Sequence, residues 1–158
     1  MNVEIRKARE KDYEPVFSLD EKFVLYHSRF KVWKLFEPSD KMRKVWKKLF
    51  MGFIKKRNKL ALIAEEDNKI IGFLLGKINK RRGFKIEKTA HIEKIFVDEN
   101  YRNKGVATKL KNEFIKWAKK KGAKALTLYV AVENKKALKL YKSWNLKKYC
   151  YGMYKLLK

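Results

Sequence analysis

The spacing of apolar residues predicts which parts of the chain are strands and which are helices. Residues 3–8 alternate between apolar and polar positions and predict a strand. Residues 12–30 carry apolar side chains at helical spacing, with Asp12 placed to cap the helix. A second helix follows, and Ser39 or Asp40 is placed to cap it. Its apolar stripe comprises Met42, Val45, Trp46, Leu49, Phe50 and Phe53.

The second half of the chain predicts a hairpin and then an alternation of helices and strands. Two apolar segments, 59–66 and 69–79, flank a pair of turn residues and read as a hairpin. A third strand ends near Val97, and the helix that follows it is stopped by Gly122. A strand, a further helix and one or two closing strands within residues 148–157 complete the predicted order.

This order of elements predicts the fold class. Helices that alternate with strands imply crossover connections. We therefore expect an α/β fold of the α+β type, with a mixed, mostly antiparallel central sheet that helices cover on both faces. Because the chain has no internal repeat and no Gly/Ser linker, residues 1–158 are predicted to form a single domain.

Basic residues dominate the charge of the chain. Lys and Arg number 42 against 17 acidic residues, which gives a net charge of +25, and glutamine is absent. Lysine enrichment with few thermolabile amides is typical of proteins from hot environments. We favour this interpretation over a nucleic-acid surface, although the positive field would favour a polyanionic ligand.

Other features of the sequence bear on location and on metals. No apolar run follows the N-terminal residues, so we expect no signal peptide. The longest apolar run, residues 70–76, is too short to cross a bilayer. Cys150 is the single cysteine, which excludes an internal disulfide, and the two histidines and this cysteine are too scattered for a metal site. A cytoplasmic protein without a metal is expected.

The loop at residues 101–110 carries the most distinctive pattern. It leaves an apolar strand and enters a helix N-terminus, where unpaired backbone N–H groups and the helix dipole favour an anion. Gly105 leaves the approach open, and Asn103 tolerates a left-handed conformation that helps to converge N–H groups. The spacings of the P-loop and of the dinucleotide-binding fingerprint are absent. The loop therefore predicts a phosphate cradle of another kind.

Residues 102–107 read Arg, any two residues, Gly, any residue, Ala, and this pattern resembles the pyrophosphate loop of the GNAT N-acetyltransferases. Residues 91–110 as a whole resemble the fourth strand, loop and helix of that family. Residues 126–144 resemble its fifth strand and the helix that follows. The resemblance implies an acetyl-CoA-dependent N-acetyltransferase whose fourth and fifth strands splay apart to admit acetyl-CoA.

The resemblance also implies which residues contact acetyl-CoA. Backbone groups of Ile95, Phe96 and Val97 would pair with the pantetheine arm and the acetyl group. Asn134 would contact the pantetheine region. Backbone N–H groups of the loop would hold the pyrophosphate, while its basic side chains add charge. The loop residues implied are Arg102, Asn103, Lys104, Gly105, Val106, Ala107 and Thr108.

Three residues are candidates for proton transfer. By resemblance Tyr141 lies near the sulfur, and a phenol with an unperturbed pKa of ~10 would protonate the leaving thiolate. Periodicity alone would assign Tyr141 to core packing. His91 and Glu93 lie two apart, so a regular strand points both to one face. By resemblance Glu93 is the first choice and His91 the second for taking the proton of the amine.

Structural roles remain open for these residues. His91 and Glu93 would also suit a half-exposed strand face, and a bulge in the strand would change which side chain points inward. Where the family usually has Gly followed by Phe or Ala, this chain has Trp144 and Asn145. The end of that helix, and part of the acceptor pocket, are therefore expected to differ.

The sequence does not specify the acceptor beyond a primary amine, either a small molecule such as a polyamine or a protein N-terminus or lysine. By resemblance Trp33 and Phe36 lie in one wall of the acceptor site. A polyamine would need a locally acidic pocket in so basic a protein. The carboxylates considered for it are Asp20, Glu21, Glu37 and Glu87.

Two other interpretations compete with the enzyme. Residues 31–59 are basic and aromatic and would suit a helix on a membrane surface, although such a stripe more often faces the core. We expect no membrane partner. The lysine excess would also suit an RNA- or ribosome-associated binding module that keeps the fold without turnover. An amine acceptor is the expected partner, a homodimer stays open, and nucleic acid is less favoured.

Overall fold

The computed structural model describes residues 2–39 and 41–157. Its strands are β1 (Glu4–Lys7), β2 (Lys59–Glu66), β3 (Lys69–Lys80), β4 (Lys88–Val97) and β5 (Ala125–Leu128). Its helices are α1 (Tyr13–His27), α2 (Met42–Lys55), α3 (Val106–Lys120) and α4 (Lys135–Ser143). The strands form one five-stranded sheet in the order β1-β2-β3-β4-β5. Strands β1 to β4 pair with one another in antiparallel fashion, and β5 pairs with β4 in parallel. The predicted fold class is confirmed.

The sheet has a hydrophobic core on each face. Along β2, Leu60 and Leu62 belong to the cluster that contains α3, whereas Ala61 and Ile63 belong to the cluster that contains α1 and α2. Successive side chains of a strand point to opposite faces. Because both faces are covered, β2 reads as a continuous apolar run and not as an alternating one. The helices on both faces were predicted and are observed.

Two predicted turns are confirmed by their backbone geometry. Asp67 and Asn68, between β2 and β3, have φ angles of 48° and 62°. Positive φ at both central residues is what a tight two-residue hairpin requires. Gly122, which follows α3, has a φ of 82°, a left-handed conformation that ends helices.

The predicted cap of α1 is wrong, and so is one of the two candidates for the cap of α2. The carboxylate of Asp12 does not cap α1; it accepts hydrogen bonds from the backbone N–H of Arg9, at 2.7 Å, and from the guanidinium of Arg6, at 2.8 Å. An ion pair with a strand residue thus takes the carboxylate that the helix end would have used. Among the described residues, the N-cap position of α2 is Lys41 and no side-chain capping hydrogen bond is present, so Ser39 does not serve as predicted. Asp40 lies outside the described residues.

Only part of the predicted apolar stripe of α2 is buried. Trp46, Phe50 and Phe53 are buried against the sheet, whereas Val45 and Leu49 are 53% and 47% exposed. The aromatic part of the stripe therefore faces the core, as the packing interpretation predicts. Across residues 2–39 and 41–157, no helix combines the length and apolar character that a membrane span requires.

The predicted closing strands are also wrong. The described part of the chain after α4 contains no strand, and large apolar side chains there face solvent, with Met153 96% and Leu157 89% exposed. A strand needs a neighbour for its backbone hydrogen bonds and a surface that covers one face. Residues 148–157 pair with none of the five strands, so their alternating pattern does not produce a strand.

Candidate functional site

The central feature of the site is an opening between β4 and β5. The two strands pair from Thr89 with Ala125 to Ile92 with Leu128. β5 ends there, whereas β4 continues to Val97. On the side away from β3, residues 93–97 have no strand partner among the five strands described. Their backbone groups on that side face an opening and can pair with an extended ligand.

A cradle of backbone N–H groups follows β4. The N-cap of α3 is Gly105, and no side chain caps this helix. The first hydrogen bond of the helix runs from the N–H of Lys109 to the carbonyl of Gly105, at 3.0 Å. The N–H groups of residues 106–108 therefore have no acceptor within the helix. Together with the helix dipole they favour an anion.

The backbone conformation of the loop keeps this cradle open. Asn103 and Gly105 have φ angles of 62° and 77°, both left-handed. These residues and Lys104 between them are exposed. Apart from its chain neighbours, no atom lies within 4 Å of a Cβ built on Gly105, so the described chain does not crowd this position. Backbone donors, charge and space are the features that a phosphate group needs.

The side chain of Arg102 points away from the cradle. Its Nε donates a hydrogen bond to the carbonyl of Val97, at 3.0 Å. Its guanidinium lies 5.1 Å from the ring centre of Tyr26 and 5.2 Å from that of Phe96. Arg102 therefore holds the end of β4 to α1, and the cradle itself consists mainly of backbone atoms.

Asn134, Tyr141 and Tyr26 come together beside the opening. Asn134 is buried and caps α4 by accepting a hydrogen bond from the N–H of Ala137, at 3.1 Å. The hydroxyl of Tyr26 donates to the same Asn134 oxygen, at 3.4 Å. Burial, with a smaller contribution from Tyr26, raises the pKa of Tyr141 to about 12. Tyr26 lies within the predicted first helix (residues 12–30), but no sequence signal links that helix to α4.

Trp144 joins the two helices that flank the opening. Its indole N–H donates a hydrogen bond to the hydroxyl oxygen of Thr108, at 3.2 Å. Its ring also lies 5.3 Å from that of Tyr141. Trp144, which stands where the resembled family usually has glycine, thus ties the end of α4 to the first turn of α3.

A bulge in β4 lies at the start of the opening. The register of β3 with β4 skips Glu93, which is left without a partner residue. The carboxylate of Glu93 forms an ion pair with Lys77 on β3. The next residue, Lys94, forms an ion pair with the buried carboxylate of Asp20 on α1, at 2.7 Å. Both carboxylates are thus paired with lysines of the protein.

His91 lies two residues before the bulge and is buried. Its Nδ1 is 2.9 Å from the hydroxyl oxygen of Thr127 on β5, and its ring centre is 5.1 Å from that of Tyr129. Burial lowers the pKa of His91 below its ordinary value, with a smaller opposing effect of Glu93. The imidazole is therefore neutral at pH 7, as a proton acceptor must be. Neither Thr127 nor Lys77 was singled out in the sequence, because each reads as an ordinary strand residue.

Trp33 and Phe36 form an aromatic wall after α1. The ring of Trp33 lies 6.2 Å from Phe23, 5.5 Å from His27 and 6.4 Å from Phe36. Phe36 is 61% exposed. The indole N–H of Trp33 is buried and has no hydrogen-bond partner among the residues that the structure describes.

Several known proteins are similar to this chain. An uncharacterized N-acetyltransferase of Methanocaldococcus jannaschii is 33% identical over 125 residues, which make up 78% of this chain and 54% of that protein. The chain therefore spans about half the length of this curated relative. The structure of the tetramutant of the BH1408 protein from Bacillus halodurans matches with a TM-score of 0.84 at 22% identity, covering 98% of this chain and 99% of that one.

A second solved structure contains a ligand. AAC(6')-Iy in complex with the bisubstrate analogue CoA-S-monomethyl-acetylneamine matches with a TM-score of 0.78 at 18% identity, covering 100% of this chain and 99% of that one. At such identities these two structures show a shared fold. Residues 11–145, which include the opening, the cradle and Tyr141, match the acetyltransferase (GNAT) family. The chain belongs to the acetyltransferase (GNAT) family.

Proposed function

We propose that this chain is a single-domain N-acetyltransferase that transfers the acetyl group of acetyl-CoA to a primary amine by direct attack in a ternary complex. The observation that carries the proposal is the opening beside residues 93–97, which leads to the uncapped N-terminus of α3. The opening offers strand-like backbone groups for the pantetheine arm, and the helix offers N–H groups for the pyrophosphate.

The binding roles divide between backbone and side chains. Backbone groups of Ile95, Phe96 and Val97 line the opening for the pantetheine arm, while the carbonyl of Val97 stays bound to Arg102. Backbone N–H groups of residues 103–108 hold the pyrophosphate. The side-chain oxygen of Asn134 is used within the protein, which leaves its amide nitrogen for the pantetheine region.

Acetyl-CoA supplies an acetyl group that is activated as a thioester. The protein holds this group beside the amine, and orientation alone contributes much of the rate enhancement. A backbone N–H of β4 stabilises the oxygen that gains charge. Tyr141, whose pKa is raised to about 12, stays protonated at neutral pH and donates to the leaving sulfur.

A base completes the scheme, and His91 and Glu93 are the candidates. To accept a proton, Glu93 would have to give up its ion pair with Lys77. His91 is neutral and needs no such rearrangement.

The acceptor is an amine, as it is for the aminoglycoside acetyltransferases that share the fold. A highly charged polyamine is a less favoured acceptor, because it would need unpaired carboxylates. Asp20, one of the carboxylates considered for an acidic pocket, is buried and already paired with Lys94. Trp33 and Phe36 offer an aromatic wall for an acceptor of less concentrated charge.

The experiment has two parts. Calorimetry with CoA tests the cradle, and a panel of polyamines, aminoglycosides, amino acids and peptides with free N-termini is screened with acetyl-CoA by release of free thiol. CoA binding with thiol release for one class of amine would support the proposal. A chain that binds RNA with a steep salt dependence and does not bind CoA would instead be the binding module.

A further inference from the structure

The hydroxyl of Thr127 contacts two groups at the closed end of the opening. Its Oγ1 is 3.2 Å from the carbonyl oxygen of Ala90 and 2.9 Å from Nδ1 of His91. His91 and Thr127 are partners in the register, one step before the pairing of β4 with β5 ends. The contact therefore lies where the two strands separate.

The hydrogens of these two contacts can be assigned by counting. A carbonyl oxygen only accepts, so the contact with Ala90 uses the single hydrogen of the Thr127 hydroxyl. The oxygen of Thr127 is then the acceptor in the second contact, which requires a hydrogen on Nδ1 of His91. A neutral imidazole carries one N–H, so Nε2 of His91 keeps its lone pair.

Nε2 keeps some exposure to solvent, although His91 as a whole is only 7% exposed. It has no hydrogen-bond partner among the residues described, and it is not one of their buried, unsatisfied atoms. The charged and titratable groups that face His91 are Glu93 on its own strand, Lys77 on β3 and Tyr129 on β5. Glu93 and Lys77 are paired with each other and so largely cancel.

We propose that His91 accepts the proton of the attacking amine at Nε2, directly or through one water, and that Thr127 is the positioning residue that fixes the required tautomer. This inference rests on the proposed acetyl transfer. It reverses the order suggested by the sequence, in which Glu93 came before His91. The role of Glu93 is then to hold Lys77 beside the site.

The protons balance in this scheme. The amine nitrogen bonds to the acetyl carbon while the bond from that carbon to sulfur breaks. One proton passes from the nitrogen to Nε2 of His91, and one passes from the phenol of Tyr141 to the sulfur. Solvent then takes the proton from His91 and returns one to Tyr141, so both side chains end as they began.

Nitrogen-15 NMR tests the tautomer without any substrate. The chain has two histidines, so both can be assigned with the variant His27→Phe. Above pH 7.5 we expect His91 to carry its hydrogen on Nδ1 in the native chain and in Thr127→Ser. In Thr127→Val, which keeps the shape of the side chain but lacks the hydroxyl, we expect a shift toward the Nε2–H form. His27, whose Nδ1 is 2.8 Å from the carbonyl of Phe23, is an internal control and should not change.

Kinetics with a working amine tests the catalytic part. Thr127→Val should lower kcat/KM by roughly 3- to 10-fold, the worth of one hydrogen bond, while CoA affinity stays constant and Thr127→Ser restores activity. After division by the fraction of neutral amine, the acid limb of kcat/KM in the native chain should lie below the ordinary pKa of histidine, because burial lowers the pKa of His91. An Nε2–H form in the native chain, or no change in Thr127→Val, would overturn the positioning role. A changed tautomer with unchanged kcat/KM and pH profile would overturn the role of His91 as base.

Failure of the proposed function gives a different result. If the tautomer is as expected but no amine supports thiol release and CoA does not bind, acetyl transfer itself is wrong, and the catalytic role of His91 is overturned with it.

Discussion

The proposed cradle and the proposed proton-transfer site lie along the same opening and are built in different ways. The cradle consists of backbone N–H groups around Gly105, with no capping side chain and with Arg102 turned away. The proton-transfer site consists of single side-chain atoms that neighbours hold in place, such as Nδ1 of His91 on Thr127. The cradle therefore depends on local backbone conformation, and the proton-transfer site depends on the identity of individual atoms.

This difference predicts two kinds of sensitivity. Changing an atom in the proton-transfer site should reduce turnover while acetyl-CoA still binds. Changing the conformation at the cradle should reduce binding while bound acetyl-CoA still reacts. A variant at either site that reduces both turnover and acetyl-CoA binding would contradict this distinction.

The largest effect is expected from Tyr141→Phe. The variant keeps the ring and its packing on Trp144 but removes the donor to sulfur. We expect kcat to fall by roughly 10²- to 10⁴-fold, with acetyl-CoA affinity nearly unchanged. Tyr13→Phe is the control, because Tyr13 is buried in the core and its hydroxyl bonds only to the carbonyl of Arg43, at 3.3 Å, within the described chain. Full turnover in Tyr141→Phe would mean that the phenol is packing and that water protonates the sulfur.

The next effect is expected from Gly105→Val. A β-branched residue is strained at a φ of 77°, and this strain would disturb the backbone that presents the N–H groups of the cradle. We expect the dissociation constant of CoA to rise roughly 5- to 150-fold by calorimetry, since strain of this kind costs of order 1–3 kcal/mol. Gly83→Val carries the same strain, at a φ of 83°, in the turn before β4. Equal CoA affinity in the two variants would remove the cradle from the binding site.

A smaller effect is expected from salt. Because CoA carries several phosphate charges and the chain has a net charge of +25, the association rate should fall roughly tenfold between low and physiological ionic strength. Turnover at saturating acetyl-CoA should change much less. If the association rate measured by stopped flow does not change with salt, the positive field does not act on this ligand.

The smallest effect is expected from Glu93→Gln. The Glu93 carboxylate is partly exposed and paired with Lys77, and exposed ion pairs contribute ~0–1 kcal/mol. We expect kcat/KM to change less than about fivefold and the acid limb of the pH profile to remain. A loss of roughly 10²-fold, or disappearance of that limb, would return the role of base to Glu93.

The sequence predicted the backbone conformation of the cradle loop better than the contacts of the proposed proton-transfer residues, for a physical reason. A cradle made by Gly105 and the helix start is a local structure, so a short pattern describes it. The contacts of Tyr26 with Asn134 and of Thr127 with His91 join residues far apart in sequence. The strand pattern predicted that His91 and Glu93 lie on one face of the strand, but it contained no signal that Glu93 pairs with Lys77.

The fold shows the same division. The hairpin turn and the two-sided sheet followed from local pattern, since Asp67 and Asn68 suit positive φ and β2 is apolar throughout. The predicted cap at Asp12 was wrong, because its carboxylate forms an ion pair with Arg6 instead. The closing strands failed because a strand pattern does not say whether a neighbouring strand edge is available.

The short length of β5 has a consequence for local stability. It has four residues, all of them half-buried, and it is bonded to the sheet on one side only, whereas β2 and β3 are long and central. Local opening in proteins begins where burial and backbone bonding are sparse. The β5 edge, with Thr127, should therefore open and exchange its amide hydrogens before the rest of the sheet. The tautomer that we propose for His91 would then depend on one of the least protected elements of the sheet, and a ligand that spans the opening would suppress this motion.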